Sequence, residues 1–450
     1  MAETTKMEKI VALSKRRGFI FQSSEIYGGL NGFWDYGPLG SQLKKNIKDH
    51  WWRSMTQLRD DIVGMDGSII MNPAVWKASG HVDTFSDPLV DCKACKTRHR
   101  ADQLPEKDGK KYCPNCKSFD LSEPRNFNLM LKTYIGPVQD ESNVAYLRPE
   151  TAQAIFVQFK NVLDTSRQKL PFGIAQVGKS FRNEINPRNF TFRSREFDQM
   201  EVEFFVHPDE GFKWTDQWLE DRLAWYEAVG LPRKKIHILD VPETDRAFYS
   251  QKTYDLEYEF PFGIQELEGI AYRTDYDLSK HQEHSGKPLE YFDEASKSKF
   301  IPHVVEPSAG LDRTLLAILC EAFDEETVSE GDVRTVLRFK PCVAPVKVGV
   351  FPLLKNKPEL VAKAREVEAL LRPHMAIQYD DGGAIGRRYR RQDEIGTPYC
   401  VTIDFETLEG VKEGANAGDK DTVTLRHRDS MQQERIKISD LLGKILPTLS

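Results

Sequence analysis

The sequence predicts an α+β body built on an antiparallel sheet with helices, a small cysteine-rich insertion in that body, and a C-terminal α/β unit. Three observations carry this reading. Residues 173–206 contain two strand-like runs flanking the turn cluster Asn186-Pro187-Arg188-Asn189, the pattern of an antiparallel hairpin. Cys92-x2-Cys95 and Cys113-x2-Cys116 stand 17 residues apart and define a compact knob. From about residue 343 strands alternate with helices for roughly 105 residues, the rhythm of a separate α/β domain with a parallel-rich sheet.

Bulk composition bounds the possibilities. The chain has 450 residues, 40% hydrophobic and 29% charged, enough for a large core shared by two or three domains. No run of about 18 apolar residues is present, so no transmembrane helix is expected. The opening MAETTKMEKIVALSKRRGF lacks an apolar signal core and reads as an ordinary helix over residues 1–23, with the cytosol the expected compartment. A net charge of −6 argues against general coating of nucleic acid but leaves room for a local basic surface. Seven cysteines in so long a chain are no disulfide framework.

In chain order, Gly37-Pro38-Leu39-Gly40 is a turn, and Ser41 is a candidate cap for a helix with Leu43, Ile47 and Trp51 at helical spacing. Ile69-Ile70-Met71 reads as a strand ending at Asn72-Pro73. The cysteine pairs have the spacing of a closed four-thiolate zinc site, which is structural because no coordination position stays open; four unliganded thiols are the alternative. The polar segment between them is a solvated face or touches a polyanion. Arg148-Pro149-Glu150-Thr151 leads into a helix, with Glu150 favourably placed at its N-terminus.

The hairpin follows. In its second run Met200, Val202, Phe204 and Val206 alternate with Phe197, Gln199, Glu201 and Glu203, giving one apolar and one polar face. Arg182 and Glu184 share a face of the first run. Folded together, Arg182, Glu184, Phe197 and Glu201 suit a nucleotide: arginine for phosphate, an aromatic ring for the base, a carboxylate for an exocyclic amine. A solvated surface hairpin fits the same pattern. Next come a Trp-rich amphipathic helix over 211–230 and the stretch QELEGIAYRTDYDL. There Glu266 and Glu268 on one strand face are able to hold a magnesium ion, or form an acidic edge. Glu306 and Ser308 share a face of a short strand, and Arg313 sits in the first turn of the helix LDRTLLAILCEAF, where a cation opposes the dipole. In the C-terminal unit Arg387, Arg388, Tyr389, Arg390 and Arg391 form a basic-aromatic cluster suited to an RNA backbone and a stacked base, or a solvated helix start.

Taken jointly, these stretches resemble the class II aminoacyl-tRNA synthetases, and within them the homodimeric glycyl-tRNA synthetases. FRNEINPRNFTFRSREF is similar to that family's second signature motif, and EPSAGLDR to its third. The Gly37-Pro38 turn, the long helix and Pro73 resemble the first motif. YLRPETAQ and ELEGIAYRTDYDL are further family-like stretches, and GRRYRRQDEIGTP is similar to the anticodon-binding domain. The resemblance implies a class II synthetase catalytic core over 1–342, with the zinc-binding insertion at 86–145, and an anticodon-binding domain over 343–450. It implies a cytoplasmic homodimer that uses ATP with magnesium, glycine and tRNA(Gly).

Roles follow from the same resemblance. Arg182, Arg313 and Glu266 are the expected catalytic residues. Arg182 meets the ATP α-phosphate and the glycine carboxylate; Glu184 reads the adenine amine; Phe197 stacks the base. Arg193 and Arg313 hold the outer phosphates, and Glu266 the magnesium. Glu150, Glu201, Glu306 and Ser308 form the glycine pocket, with Arg273 nearby. The anticodon side falls to Arg387–Arg391. Ser308 departs from the glycine usual at its position, and a side chain there fills space that a larger amino acid needs. The zinc expectation rests on cysteine spacing, not on the family. Three other readings compete: a class II enzyme for another small amino acid, a non-catalytic relative, and a zinc-dependent RNA-binding module.

Overall fold

The computed structural model describes residues 5–413 and 417–449. Its central element is a seven-stranded sheet in the order Ile236–Asp240, Lys252–Phe260, Gly263–Thr274, His303–Gly310, Glu196–Val206, Phe172–Phe181, Ile62–Gly64. Every pairing is antiparallel except the last, where Ile62–Gly64 runs parallel to Phe172–Phe181. The antiparallel α+β body is therefore as the sequence predicts.

The alternation along Glu196–Val206 sorts its side chains. Met200, Val202, Phe204 and Val206 bury into one core together with the helices Pro38–Thr56, Gly211–Ala228 and Leu311–Ala322. Burying a side chain such as Phe204 contributes about 1.5–3 kcal/mol, so this face fixes the strand's register. On the opposite face, Phe205 packs with Phe172, Ile174 and the helix Ala152–Ser166. That helix covers one end of the sheet only. Beyond it, Phe197, Gln199 and Glu201 are left to build a site.

Several elements differ from expectation for identifiable reasons. The N-terminal helix is Lys6–Arg17; it stops at Gly18, whose φ of 75° ends the turn, and Ile20–Gln22 pairs instead with Trp34–Tyr36. The second helix begins at Pro38, capped by Gly37 rather than Ser41, because proline at the first helical position needs no amide partner. Trp51 lies in the core, and Trp52 packs partly buried against it. Ile69-Ile70-Met71 is no strand; Ile70 makes a single bridge to Leu147, while Asn72 accepts from the Ala74 amide and starts the helix Pro73–Ala78. The first hairpin strand ends at Phe181, so Arg182 and Glu184 belong to the loop 182–195 and not to a strand face.

The C-terminal unit is a five-stranded sheet in the order Ile377–Tyr379, Val348–Pro352, Tyr399–Ile403, Thr422–His427, Gln433–Lys437. Its first three strands are parallel, but the last two are antiparallel, so the sheet is mixed. The final edge strand, with the polar sequence QERIK, carried no strand signal. The unit owns a separate core around Val348, Leu360, Val401 and Leu425. A buried ion cluster ties it to the main body: Asp393 accepts from Arg334 at 2.8 Å and from Arg426 at 2.9 Å. No helix among the described residues is long and apolar enough to cross a membrane.

Candidate active site

The loop 182–195, the strands Gly263–Thr274 and His303–Gly310, and the first turn of Leu311–Ala322 enclose a cavity of about 150 Å³ lined by Arg182, Glu184, Arg193, Phe197, Glu266 and Arg313 among others. Arg182 donates through Nε to the Pro149 carbonyl at 3.0 Å, and its guanidinium lies 5.4 Å from the ring centroids of both Phe85 and Phe197. It forms no ion pair among the described residues, so its two terminal nitrogens remain for an anion. Glu184 is almost fully buried; among the described residues its Oε2 has no hydrogen-bond partner, and neither does Nη1 of the adjacent Arg193. Their separation, 3.9 Å between Glu184 Oε2 and Arg193 Nε, is a loose ion pair. Buried polar atoms are normally satisfied, so these two point to a ligand with one donor and one acceptor edge.

Arg313 is braced by the Phe192 carbonyl at 3.1 Å and stands 3.3 Å from Glu266 Oε2. Arg313, with Arg182 and Arg193 beyond it, holds the Glu266 carboxyl below its ordinary range. Glu268 is the correction here. A β-bulge opposite Leu256 and Glu257 shifts the register, so Glu268 turns to the other side of the sheet and pairs with Arg222 at 2.6 Å, both fully buried. The expected carboxylate pair does not form, and Glu266 faces the cavity without it. Asp312 braces the same wall by accepting from the Asp198 amide at 2.6 Å and from Lys44 at 2.7 Å.

A second cavity, of about 260 Å³, adjoins the first and is lined by Tyr249, Asp255, Glu306 and Ser308. Glu266 and Ser308 line both. Glu201 is deeply buried and saturated: it accepts from Ser308 Oγ at 2.6 Å, Gln199 Nε2 at 2.9 Å, the Thr151 amide at 3.1 Å and the Thr151 hydroxyl. Burial and the neighbouring Glu150 raise its pKa. Glu150 behaves oppositely. Although burial opposes ionisation, His81 at 3.2 Å, Arg273 and the Gln153 amide at 3.0 Å hold it well below the usual carboxylate range. Glu306 takes both oxygens to Arg273 Nη1 at 2.9 Å, yet burial and the nearby Glu201 and Glu150 push it up to about 7.

Arg273 gives four of its five N–H donors to Glu306 and Asp277, so it chiefly orients the carboxylates. His81 and Tyr249 had no signal in the sequence, because they are brought in from separate segments, whereas Gln199 was read on the polar face and Thr151 at the helix entry without a role in the site. Arg148 lies beneath the site, donating to the Lys179 and Gly67 carbonyls.

Two predicted clusters lie elsewhere. The sulfurs of Cys92, Cys95, Cys113 and Cys116 lie within 4.8 Å of one another, with 3.5 Å between Cys92 and Cys116 and 3.6 Å between Cys95 and Cys113. A tetrahedron with Zn–S near 2.3 Å has edges of about 3.8 Å, so the four thiols fit that ion. The arginine cluster is largely spent on the protein. Arg388 is fully buried and donates to the carbonyls of Pro352, Asp381 and Gly383, so it is no surface contact. Tyr389 packs on Phe351 and bonds Thr402 at 2.6 Å. Arg390 pairs with Asp332 and Arg391 with Asp380. Arg387 alone of the five is exposed and makes no ion pair among the described residues.

Sequence comparison agrees with this arrangement. Residues 133–322 match the model of the tRNA synthetase class II core domain (G, H, P, S and T), and residues 347–447 match that of the anticodon binding domain. The glycine–tRNA ligase of Treponema denticola is 52% identical, over 98% of this chain and 96% of its own length. That of Borreliella burgdorferi is 54% identical, over 98% and 97%. That of Thermobifida fusca is 51% identical, over 98% and 97%. With two cavities joined on a class II core and relatives matched over nearly their full length, the chain belongs to the glycine–tRNA ligase family of class II aminoacyl-tRNA synthetases.

Proposed function

We propose that the two joined cavities are the two halves of one adenylation site, the first for ATP and the second for glycine. The observation that carries this is their shared wall: Glu266 and Ser308 belong to both. The chain is an aminoacyl-tRNA ligase that joins glycine to tRNA(Gly). In the first cavity Phe197 stacks the adenine, Glu184 accepts from its amine, and Arg193 and Arg313 bind the outer phosphates. Arg182 stands at the junction, where the α-phosphate and the glycine carboxylate meet. In the second cavity Glu306, fixed by Arg273, faces the ammonium, while Glu150 and the saturated Glu201 lie behind that wall and add negative charge.

The glycine carboxylate is ionised at pH 7 and needs no general base. It attacks the α-phosphorus in line, pyrophosphate leaves, and Arg182, Arg193 and Arg313 stabilise the charge that grows on the phosphates. The 3′-hydroxyl of the terminal tRNA adenosine then attacks the activated carbonyl, and AMP leaves. Catalysis is positioning plus electrostatics. Glu266 is the residue that would hold a magnesium ion, which neutralises phosphate charge when bound. The four cysteines would hold a structural zinc.

Selectivity follows from Ser308. Its hydroxyl is tied to Glu201 at 2.6 Å, which pins its side chain where a larger substrate side chain would project. Residues 1–342 serve as the catalytic domain, with 86–145 as the insertion, and 343–450 contact the anticodon. A cytoplasmic homodimer is the assembly that suits this family.

Amino-acid-dependent ATP–pyrophosphate exchange tests the reading: glycine alone of the twenty should drive it. Arg182→Ala should lower the glycine-dependent rate by roughly 10³-fold with the fold intact. Near-normal exchange in that variant would sink the site assignment.

A further inference from the structure

The cysteine insertion is connected to the loop that carries Arg182. Cys92 directly follows the strand Ser86–Asp91, and Arg98–Arg100 follows the Cys95 knuckle. Ser86–Asp91 is the middle strand of a three-stranded sheet, with Arg98–Arg100 on one side and Arg125–Asn128 on the other. The second cysteine pair closes the same sheet, since the Cys92–Leu121 bridge and the Ser122 amide to the Asp91 carbonyl (2.9 Å) join the two arms. The other end of this sheet reaches the site. Phe85, one residue before its first strand, sits 5.4 Å from the Arg182 guanidinium, the same distance as Phe197. The Leu129 amide donates to the Phe85 carbonyl at 3.0 Å, and the Asn183 amide donates to the Leu129 carbonyl at 2.7 Å. Asp87, paired with Arg100 at 2.8 Å, is within electrostatic reach of Glu184 and Arg193.

We propose that the four-cysteine insertion braces the nucleotide pocket from outside its lining, with Phe85 a positioning residue that holds the Arg182 guanidinium, so that metal occupancy at the cysteines sets ATP affinity. This rests on the reading of Arg182 as an ATP ligand. A cation near two aromatic rings is attracted to both, and removing one ring frees Arg182 to swing about its hydrogen bond to Pro149. The metal acts at a distance through one short sheet. Its loss releases the knuckles at one end and lets Phe85 and Leu129 shift at the other.

The test is the dissociation constant of magnesium–ATP alone, measured by equilibrium titration without glycine. Full-length protein is used zinc-loaded, and again after chelation and dialysis. Phe85→Leu keeps the apolar bulk but lacks the ring. In loaded protein it should weaken ATP binding about five- to ten-fold. Stripping the metal should weaken the wild type by at least as much, and should weaken Phe85→Leu by less than about two-fold further, because coupled sites are not additive. Phe85→Tyr should restore wild-type affinity, which a purely structural role for the position does not require. Equal ATP affinity in loaded and stripped wild type would overturn the proposal, as would full additivity of the two perturbations. Arg182→Ala separates the layers. If it binds ATP normally, the underlying site reading fails; if it alone loses ATP, only the coupling fails.

Discussion

The loop 182–195 and the helix Ile385–Ile395 start from similar material. The loop carries Arg182, Arg188, Arg193 and Arg195 and leads to Phe197; the helix carries Arg387, Arg388, Arg390 and Arg391 around Tyr389. In the loop, one arginine is spent on architecture: Arg195 donates to the carbonyls of Glu184 and Asn31. That brace leaves Arg182 and Arg193 with unused nitrogens facing a cavity. In the helix the proportions are reversed. Arg388 braces, Arg390 and Arg391 are paired to aspartates, and Arg387 makes no ion pair among the described residues. A cluster of cations marks a binding site only where the fold withholds their counter-charges.

The largest effect that sharpens this contrast is thermal. Arg388→Ala strips the donor from three carbonyls, the buried one of Pro352 among them, and leaves a hole under the C-terminal sheet. It should cost about 3 kcal/mol, lowering the melting midpoint by about 10 °C, with pyrophosphate exchange unchanged at 25 °C. Arg182→Ala should show the converse, an inactive protein that melts as the wild type does. A stable Arg388→Ala with weakened tRNA charging would erase the distinction.

The carboxylates of the second cavity extend the comparison to pH. Glu306 is pushed up to about 7 by burial, against the pull of Arg273. An ammonium substrate requires it ionised. A carboxyl with a raised pKa is charged above that value and neutral below it, so glycine binding should be strong above pH 7 and fall as pH drops through 7. The glycine KM should rise up to about ten-fold from pH 8 to pH 6, while the ATP KM changes little. A flat glycine KM over that range would show that Glu306 is not among the ammonium's partners. Glu150, held low by His81 and Arg273, supplies the charge that persists at pH 6.

A smaller effect is expected at Ser308. Ser308→Gly removes the side chain that Glu201 pins, and should relax the glycine-over-alanine preference in kcat/KM by about ten-fold. An unchanged ratio would leave exclusion to other walls such as Tyr249.

How much of this was legible varies with the physics of each signal. The alternation that separates Phe197, Gln199 and Glu201 from Met200, Val202 and Phe204 has period two and survives folding, so the polar face was readable. The same reasoning failed at Glu266 and Glu268, because a bulge breaks the period and no residue type there announces one. It failed at Arg182 and Glu184 because the strand stops at Phe181 and the loop does the aiming. His81 beside Glu150 joins segments far apart in the chain, and such a contact leaves no local pattern. The cysteines were legible because ligand spacing is itself local.

The smallest expected effect falls on Arg387, the residue on which the helix still resembles the loop. It is exposed and has no ion-pair partner among the described residues, so its removal should leave the melting midpoint where it was. If it meets a tRNA phosphate, Arg387→Ala should raise the tRNA KM about two- to three-fold at 0.15 M salt and lower the slope of log KM against log salt by about 0.7–0.9. Exchange without tRNA should be untouched. The slope is the informative quantity. A side chain that steers only through long-range charge changes the KM while leaving most of the slope, whereas a direct phosphate contact removes about one counterion's worth of it. An unaltered slope would mean that the whole arginine cluster belongs to the architecture, and that contact with the anticodon is made by another surface of the C-terminal sheet.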